Sequence, residues 1–149
     1  MEETLDILVV DDHRDTADAL VWLLANLGHK ARAAYDGISA LQSVAANRPD
    51  LIIQDIGLPH MSGYEIARRL RDDAAAKHVL LVAVTGFPKR NTALLTREAG
   101  FDRVLLKPLG LPALEELLAS VASRRRLPRV TPATGGLAAL SSSSPRSPL

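Results

Sequence analysis

Residues 51–63 read Leu51-Ile52-Ile53-Gln54-Asp55-Ile56-Gly57-Leu58-Pro59-His60-Met61-Ser62-Gly63. The apolar run Leu51-Ile52-Ile53 has the length of a strand covered on both faces, and it delivers a carboxylate, Asp55, at its end. Ser62 is placed to cap a helix whose apolar stripe is Tyr64, Ile66, Ala67 and Leu70. This unit of apolar run and amphipathic segment repeats in both directions. Upstream lie Ile7-Leu8-Val9-Val10 and the more polar Lys30 to Ala34, which has the character of an edge strand. Downstream lie Val79-Leu80-Leu81-Val82-Ala83-Val84 and Val104-Leu105-Leu106. The segments between them carry helical stripes: Ala17, Leu20, Val21, Leu24 and Leu27, stopped by Gly28, then Ile38, Leu41 and Ala45, ended before Pro49. Thr92 to Ala99 is closed by Gly100, and Leu114, Leu117, Leu118 and Val121 follow an opening Pro112. Five strands alternating with five helices predict an α/β fold, a doubly wound parallel sheet with helices on both faces.

At 149 residues the chain has room for one ordinary domain, and with 47% hydrophobic residues but only 3% aromatic its core must be aliphatic. It has no cysteine, which excludes disulfides and thiolate chemistry and fits a reducing compartment. No apolar run approaches the roughly 18 residues of a membrane span, and no signal peptide precedes the first strand, so a cytoplasmic location is expected. The net charge of +1 is unevenly spread. Residues 124–149 hold five Arg and no acid, leaving 13 basic against 17 acidic residues in the body, or −4. A body of that sign argues against direct nucleic-acid binding. Residues 1–123 are expected to form the domain. Residues 124–149, basic and rich in Pro and Ser, are expected to form a disordered tail.

Ligands of an open α/β sheet bind beyond the carboxyl ends of its strands. The first strand ends there in Asp11-Asp12, the third in Asp55, the fourth in Thr85, and the fifth in Lys107-Pro108. Each has a plain explanation alone: a helix cap, a turn residue, a turn hydroxyl, a surface cation. Together they bring three carboxylates to one edge, where unit charges a few Å apart repel by about 4 kcal/mol per pair at an effective dielectric near 20. A hard divalent cation with oxygen ligands would neutralise them, and Lys107 and Thr85 suit phosphate oxygens.

As a set these residues resemble the receiver domain of bacterial two-component response regulators, across about residues 4–123. The resemblance is carried by Val9-Val10-Asp11-Asp12, Asp55-Ile56-Gly57-Leu58-Pro59 with Met61-Ser62-Gly63, Thr85-Gly86, Gly100-Phe101-Asp102 and Lys107-Pro108. It implies a flavodoxin-like (βα)5 sheet ordered 2-1-3-4-5, as in chemotaxis regulators. It also implies that Asp55 accepts a phosphoryl group from a phosphohistidine on a histidine kinase or phosphotransfer protein. Asp12, Asp55 and the main-chain carbonyl of Gly57 would ligate Mg²⁺ (or Mn²⁺), with Asp11 acting through a water. Lys107, Thr85 and the Gly86 amide would hold the phosphoryl oxygens, and the Lys107-Pro108 peptide would be cis. The protein would catalyse only its own phosphorylation and dephosphorylation, and would signal to a downstream protein by a conformational change. It would stand alone or form part of a hybrid histidine kinase, and a homodimer is compatible with the family.

The chain departs from the pattern at Val104, where the family often has an aromatic ring that moves with the active-site Thr. Valine is smaller and stiff at χ1, so the loops after the third and fourth strands are expected to carry the signal. Gly57 cannot position a hydrolytic water, and Phe87 could shield one side of the phosphoryl group, so modest self-dephosphorylation is expected. The alternative from another class is a phosphorylation-independent interaction module on the same fold. A nucleotide-binding protein is disfavoured because Asp-Asp-His-Arg, not a Gly-rich loop, follows the first strand. Duller roles are expected for His13, His29, His60 and His78 as surface histidines, for Trp22 as partly buried packing, and for Arg68, Arg69 and Arg71 as a solvated helix end. Arg124-Arg125-Arg126 is read as a solubilising helix terminus.

Overall fold

The computed structural model describes residues 4–58 and 61–126. Its strands are β1 (Asp6–Val10), β2 (Lys30–Ala34), β3 (Leu51–Asp55), β4 (Leu80–Thr85) and β5 (Arg103–Leu106). Its helices are α1 (Arg14–Asn26), α2 (Gly37–Ala46), α3 (Gly63–Asp72), α4 (Thr92–Ala99) and α5 (Leu111–Arg126), with one 3-10 turn at Ala74–Ala76. All pairings are parallel and the order is β2-β1-β3-β4-β5, as expected.

The sheet divides the core in two because strand side chains alternate between faces. Leu8, Val10, Ile52, Leu81 and Ala83 face Ile66, Ala67 and Leu70 of α3 and Ala99 of α4. Ile7, Val9, Leu51, Ile53, Val82 and Val84 face Ala17 and Leu24 of α1 and the whole predicted stripe of α5, Leu114, Leu117, Leu118 and Val121. β4 is buried along its full length, whereas β2 and β5, the two edges, are only partly covered. Helix boundaries follow the expected signals. The Ser62 side chain accepts from the Glu65 amide, and Gly28 and Gly100 take φ +97° and +108° past the ends of α1 and α4.

Four expectations need correction. The buried face of α2 is Gly37, Ala40 and Val44 with Leu41 beside them, while Ile38 is 62% exposed and Ala45 is exposed. That face begins at a residue without a side chain because α2 starts close to α3: a Cβ on Gly37 would meet Ile66 Cδ1 and Met61 Sδ, each at 2.9 Å. Trp22 is 67% exposed, since the inner surface of α1 is already occupied by Ala17 and Leu24. His29 is not a plain surface residue, because its Nδ1 accepts the Leu5 amide at 3.0 Å. Arg71 is no solvated end: its guanidinium donates to Gly100 O (2.8 Å), Lys77 O (3.0 Å), Val79 O (2.8 Å) and Asp102 Oδ2 (2.8 Å). It thus ties the end of α3 to β4 and to the turn before β5.

α5 continues through Arg126, three residues past the expected boundary at 123, and Arg124 Nη1 reaches 4.0 Å from Asp102 Oδ2. Residues 127–149 of the expected 124–149 tail, together with Pro59 and His60, lie outside the described residues. Among the described residues no helix is long and apolar enough to cross a membrane.

Candidate functional site

Parallel register levels the strand ends. Val10 pairs with Gln54, so Asp11 and Asp55 follow at the same height. Asp55 pairs with Val84 and Thr85 with Leu106, which brings Thr85 and then Lys107 to that edge. Lys107 Nζ lies 3.2 Å from both Asp11 Oδ2 and Asp55 Oδ2, bridging residues 96 and 52 positions away in sequence. Partial burial pulls the Lys107 ammonium down, but the charges of Asp55 and Asp11 and their hydrogen bonds outweigh it and hold its pKa above the ordinary lysine value. The cation stays charged at neutral pH.

Local turns fix the carboxylates. Asp55 Oδ1 accepts the Gly57 amide at 2.9 Å, and Asp11 Oδ1 accepts the His13 amide at 3.0 Å. The side chains of Asp11 and Asp55 are 7% and 13% exposed, while that of Asp12 is 31% exposed. Donor atoms of Asp11, Asp12, His13 and Asp55 can be chosen that all lie within 4.8 Å of one another. Three carboxylates at that spacing, with a single ammonium contacting two of them, match the hard oxygen donors that Mg²⁺ takes. The residues present fit a divalent cation.

The remaining expected residues sit around this cluster. Thr85 is buried, and its Oγ1 accepts the Phe87 amide at 3.2 Å. Gly86 packs beside Lys107, with room for a Cβ no nearer than 3.9 Å from Lys107 Cβ. The Lys107-Pro108 peptide is cis, as expected. Val104 is partly buried against the core on the α3 side of the sheet. A cavity of about 880 Å³ opens above Asp55, bordered by Asp11, His13, Gly86, Phe87 and Lys107. Phe87 itself is 90% exposed.

His13 is the one member of the cluster that was assigned a dull role from sequence. The absence of metal-ligand spacing among the four histidines concealed it. Its position directly after the acidic pair was the available signal.

The family model "Response regulator receiver domain" matches residues 7–119. The sensor histidine kinase RcsC of Salmonella typhi is 35% identical over 123 residues, covering 83% of this chain but only 13% of that protein, so the chain spans about an eighth of this relative's length. The polar-differentiation response regulator DivK of Brucella anthropi is 30% identical over 114 residues, covering 76% of this chain and 93% of that protein. Among solved structures, the receiver domain of a sensor histidine kinase from Pseudomonas aeruginosa PAO1, with a magnesium ion coordinated in its active-site cleft, superposes with a TM-score of 0.74. It is 26% identical and covers 81% of this chain and 99% of that one.

Proposed function

The chain belongs to the response regulator receiver domain family, and we propose that within it Asp55 is the phosphoacceptor. It is a receiver with an acidic pocket suited to Mg-dependent aspartyl phosphorylation, not a conventional enzyme. One observation carries the assignment of roles. Lys107 spans Asp11 and Asp55 at 3.2 Å from each, so three strand ends converge on one ammonium beside the acceptor.

The phosphodonor is a phosphohistidine on a histidine kinase or phosphotransfer protein. An Asp55 carboxylate oxygen attacks phosphorus; the P–O bond forms as the P–N bond breaks, and the donor imidazole leaves with the electron pair. Asp12, Asp55 and the Gly57 carbonyl would hold a Mg²⁺ (or Mn²⁺) ion, and Asp11 would act on it through a water. The bound ion would neutralise charge on the transferring group. Lys107 already faces the acceptor and needs only a small movement of its flexible stem to follow a phosphoryl oxygen. Thr85 donates its O–H to another oxygen, since accepting the Phe87 amide does not use that proton, and the Gly86 amide borders the same space. Because Val104 lacks a ring, the loops after β3 and β4 carry the signal to a downstream protein. Phe87, at the cavity rim, limits water access to the acyl phosphate.

Acetyl phosphate with Mg²⁺ tests the reading by intact-mass spectrometry. One phosphoryl group should be gained, and the gain should vanish with a chelator and in Asp55→Asn. An equal gain in Asp55→Asn overturns the assignment. A folded wild-type protein that gains nothing favours the alternative, a phosphorylation-independent interaction module.

A further inference from the structure

His13 opens α1 with no side-chain capping hydrogen bond, and its side chain is 73% exposed. The ring nevertheless turns one nitrogen inward: Nδ1 lies 3.5 Å from Asp11 Oδ1 and 3.6 Å from Asp12 Oδ1. N–H···O hydrogen bonds run about 2.7–3.2 Å, so neither contact is a good one. Both separations, and the 4.8 Å within which donor atoms of Asp11, Asp12, His13 and Asp55 all lie, are instead those of groups able to turn toward one ion between them. The Asp11 carboxylate is also divided: Lys107 takes Oδ2, whereas the His13 ring approaches Oδ1. The imidazole therefore reaches the cluster without displacing the lysine.

We infer that His13 is a nitrogen donor to the cation held by Asp12 and Asp55, and that it shifts the site's preference from Mg²⁺ toward Mn²⁺. This rests on the reading of the cluster as a receiver's cation site and adds a specificity-determining ligand to it. Mg²⁺ is hard, oxygen-seeking and slow to give up water. A nitrogen donor raises affinity for first-row transition ions relative to Mg²⁺; Mn²⁺ stands lowest in that series and serves as the readable probe of the shift. Ligation uses the neutral ring with its proton on Nε2, leaving the Nδ1 lone pair for the ion. The exposed ring can turn about its side-chain torsions toward the ion without displacing core side chains.

The test loads the full chain with Mn²⁺ and reads ¹⁴N couplings by pulsed electron paramagnetic resonance, alongside Mn²⁺ and Mg²⁺ binding titrations. His13→Leu, Asp55→Asn and wild type are compared, with circular dichroism as the check on folding. Support is a ¹⁴N coupling in wild type that is lost in His13→Leu, with Mn²⁺ affinity reduced on the order of tenfold and Mg²⁺ affinity unchanged. Bound Mn²⁺ without ¹⁴N coupling overturns the inference and leaves the cation site standing. So does an equal change for both ions in His13→Leu, which would make His13 a mere neighbouring charge. Mn²⁺ binding that is absent in wild type, or unaffected by Asp55→Asn, sinks the cation site itself and this inference with it.

Discussion

Gly63→Ala should destabilise the domain although alanine is the better helix former. Gly63 opens α3 where the chain turns back onto the segment leaving β3, next to the acceptor. A Cβ there would stand 2.6 Å from Ile56 Cα, 3.0 Å from Gln54 Nε2 and 3.1 Å from Asp55 O. Carbon atoms pack best at about 3.5–4.0 Å, so Ile56 must retreat by roughly 1 Å, and it is backbone that has to move. The helical preference for Ala over Gly returns at most about 1 kcal/mol. Overpacking costs about 1–3 kcal/mol. The Gln54 Nε2 hydrogen bond to Gly63 O, 2.9 Å long, is strained as well. That loss costs about 1 kcal/mol more, at a side chain whose Oε1 is buried without a partner among the described residues. The clash wins by about 1–3 kcal/mol net. At roughly 4 °C per kcal/mol the midpoint falls by about 4–12 °C. Urea unfolding with an unchanged m-value measures it. Gly110→Ala, whose Cβ would find nothing nearer than Pro112 Cδ at 3.8 Å, serves as the control. Asp55 lies on the displaced backbone, so phosphorylation should slow in parallel. A Gly63→Ala protein as stable as wild type, or more so, refutes the steric argument.

Other consequences follow from the same geometry. Lys107→Met removes the ammonium between Asp11 and Asp55 and should slow phosphorylation by acetyl phosphate about a hundredfold; a rate within a few-fold of wild type would show that Lys107 serves only the resting site. Arg71→Ala strips hydrogen bonds from three carbonyls and Asp102, and should cost about 2–4 kcal/mol in thermal or urea unfolding while leaving Mg²⁺ binding intact. Asp36 caps α2, and the backbone and side-chain hydrogen bonds of Ser39 hold its carboxyl below its ordinary value of 3.8. Its contribution is therefore present above pH 3.8 and lost as pH falls through the lower folded-state value. Asp36→Asn, which keeps a cap but cannot titrate, should lose less stability than wild type below pH 3.8; acid unfolding curves that coincide would contradict this.

The strands were readable because three of them are covered on both faces, so burial needs no partner-specific knowledge: Ile7 to Val10, Leu51 to Ile53 and Leu80 to Val84 are apolar whichever way they point. The strand-end side chains were readable for a related reason. Parallel register forces Asp11, Asp55, Thr85 and Lys107 to one edge once the order is known. What escaped was whatever depends on the distance between neighbouring helices. The α2 stripe was placed on Ile38, Leu41 and Ala45, yet the helix turns Gly37, Ala40 and Val44 inward, and the close approach of Ile66 and Met61 leaves no room for a Cβ at Gly37. Trp22 was read as partly buried packing, but the inner surface of α1 was already filled. Arg71 looked like one charge in a run of charges. Its partners, Gly100 and Asp102, stand 29 and 31 residues away and become neighbours only through the fold. His13 escaped because the four histidines were weighed against one another and not against the carboxylates beside it.

The measurement closest to the heart of the account locates the phosphoryl group on the chain. Wild-type protein treated with acetyl phosphate and Mg²⁺ is reduced with borohydride, which converts an aspartyl phosphate to homoserine, and then mapped by peptide mass spectrometry. Homoserine at position 55 alone is the predicted result. Label at position 11 or 12, or a phosphoryl group retained on a histidine, would contradict it.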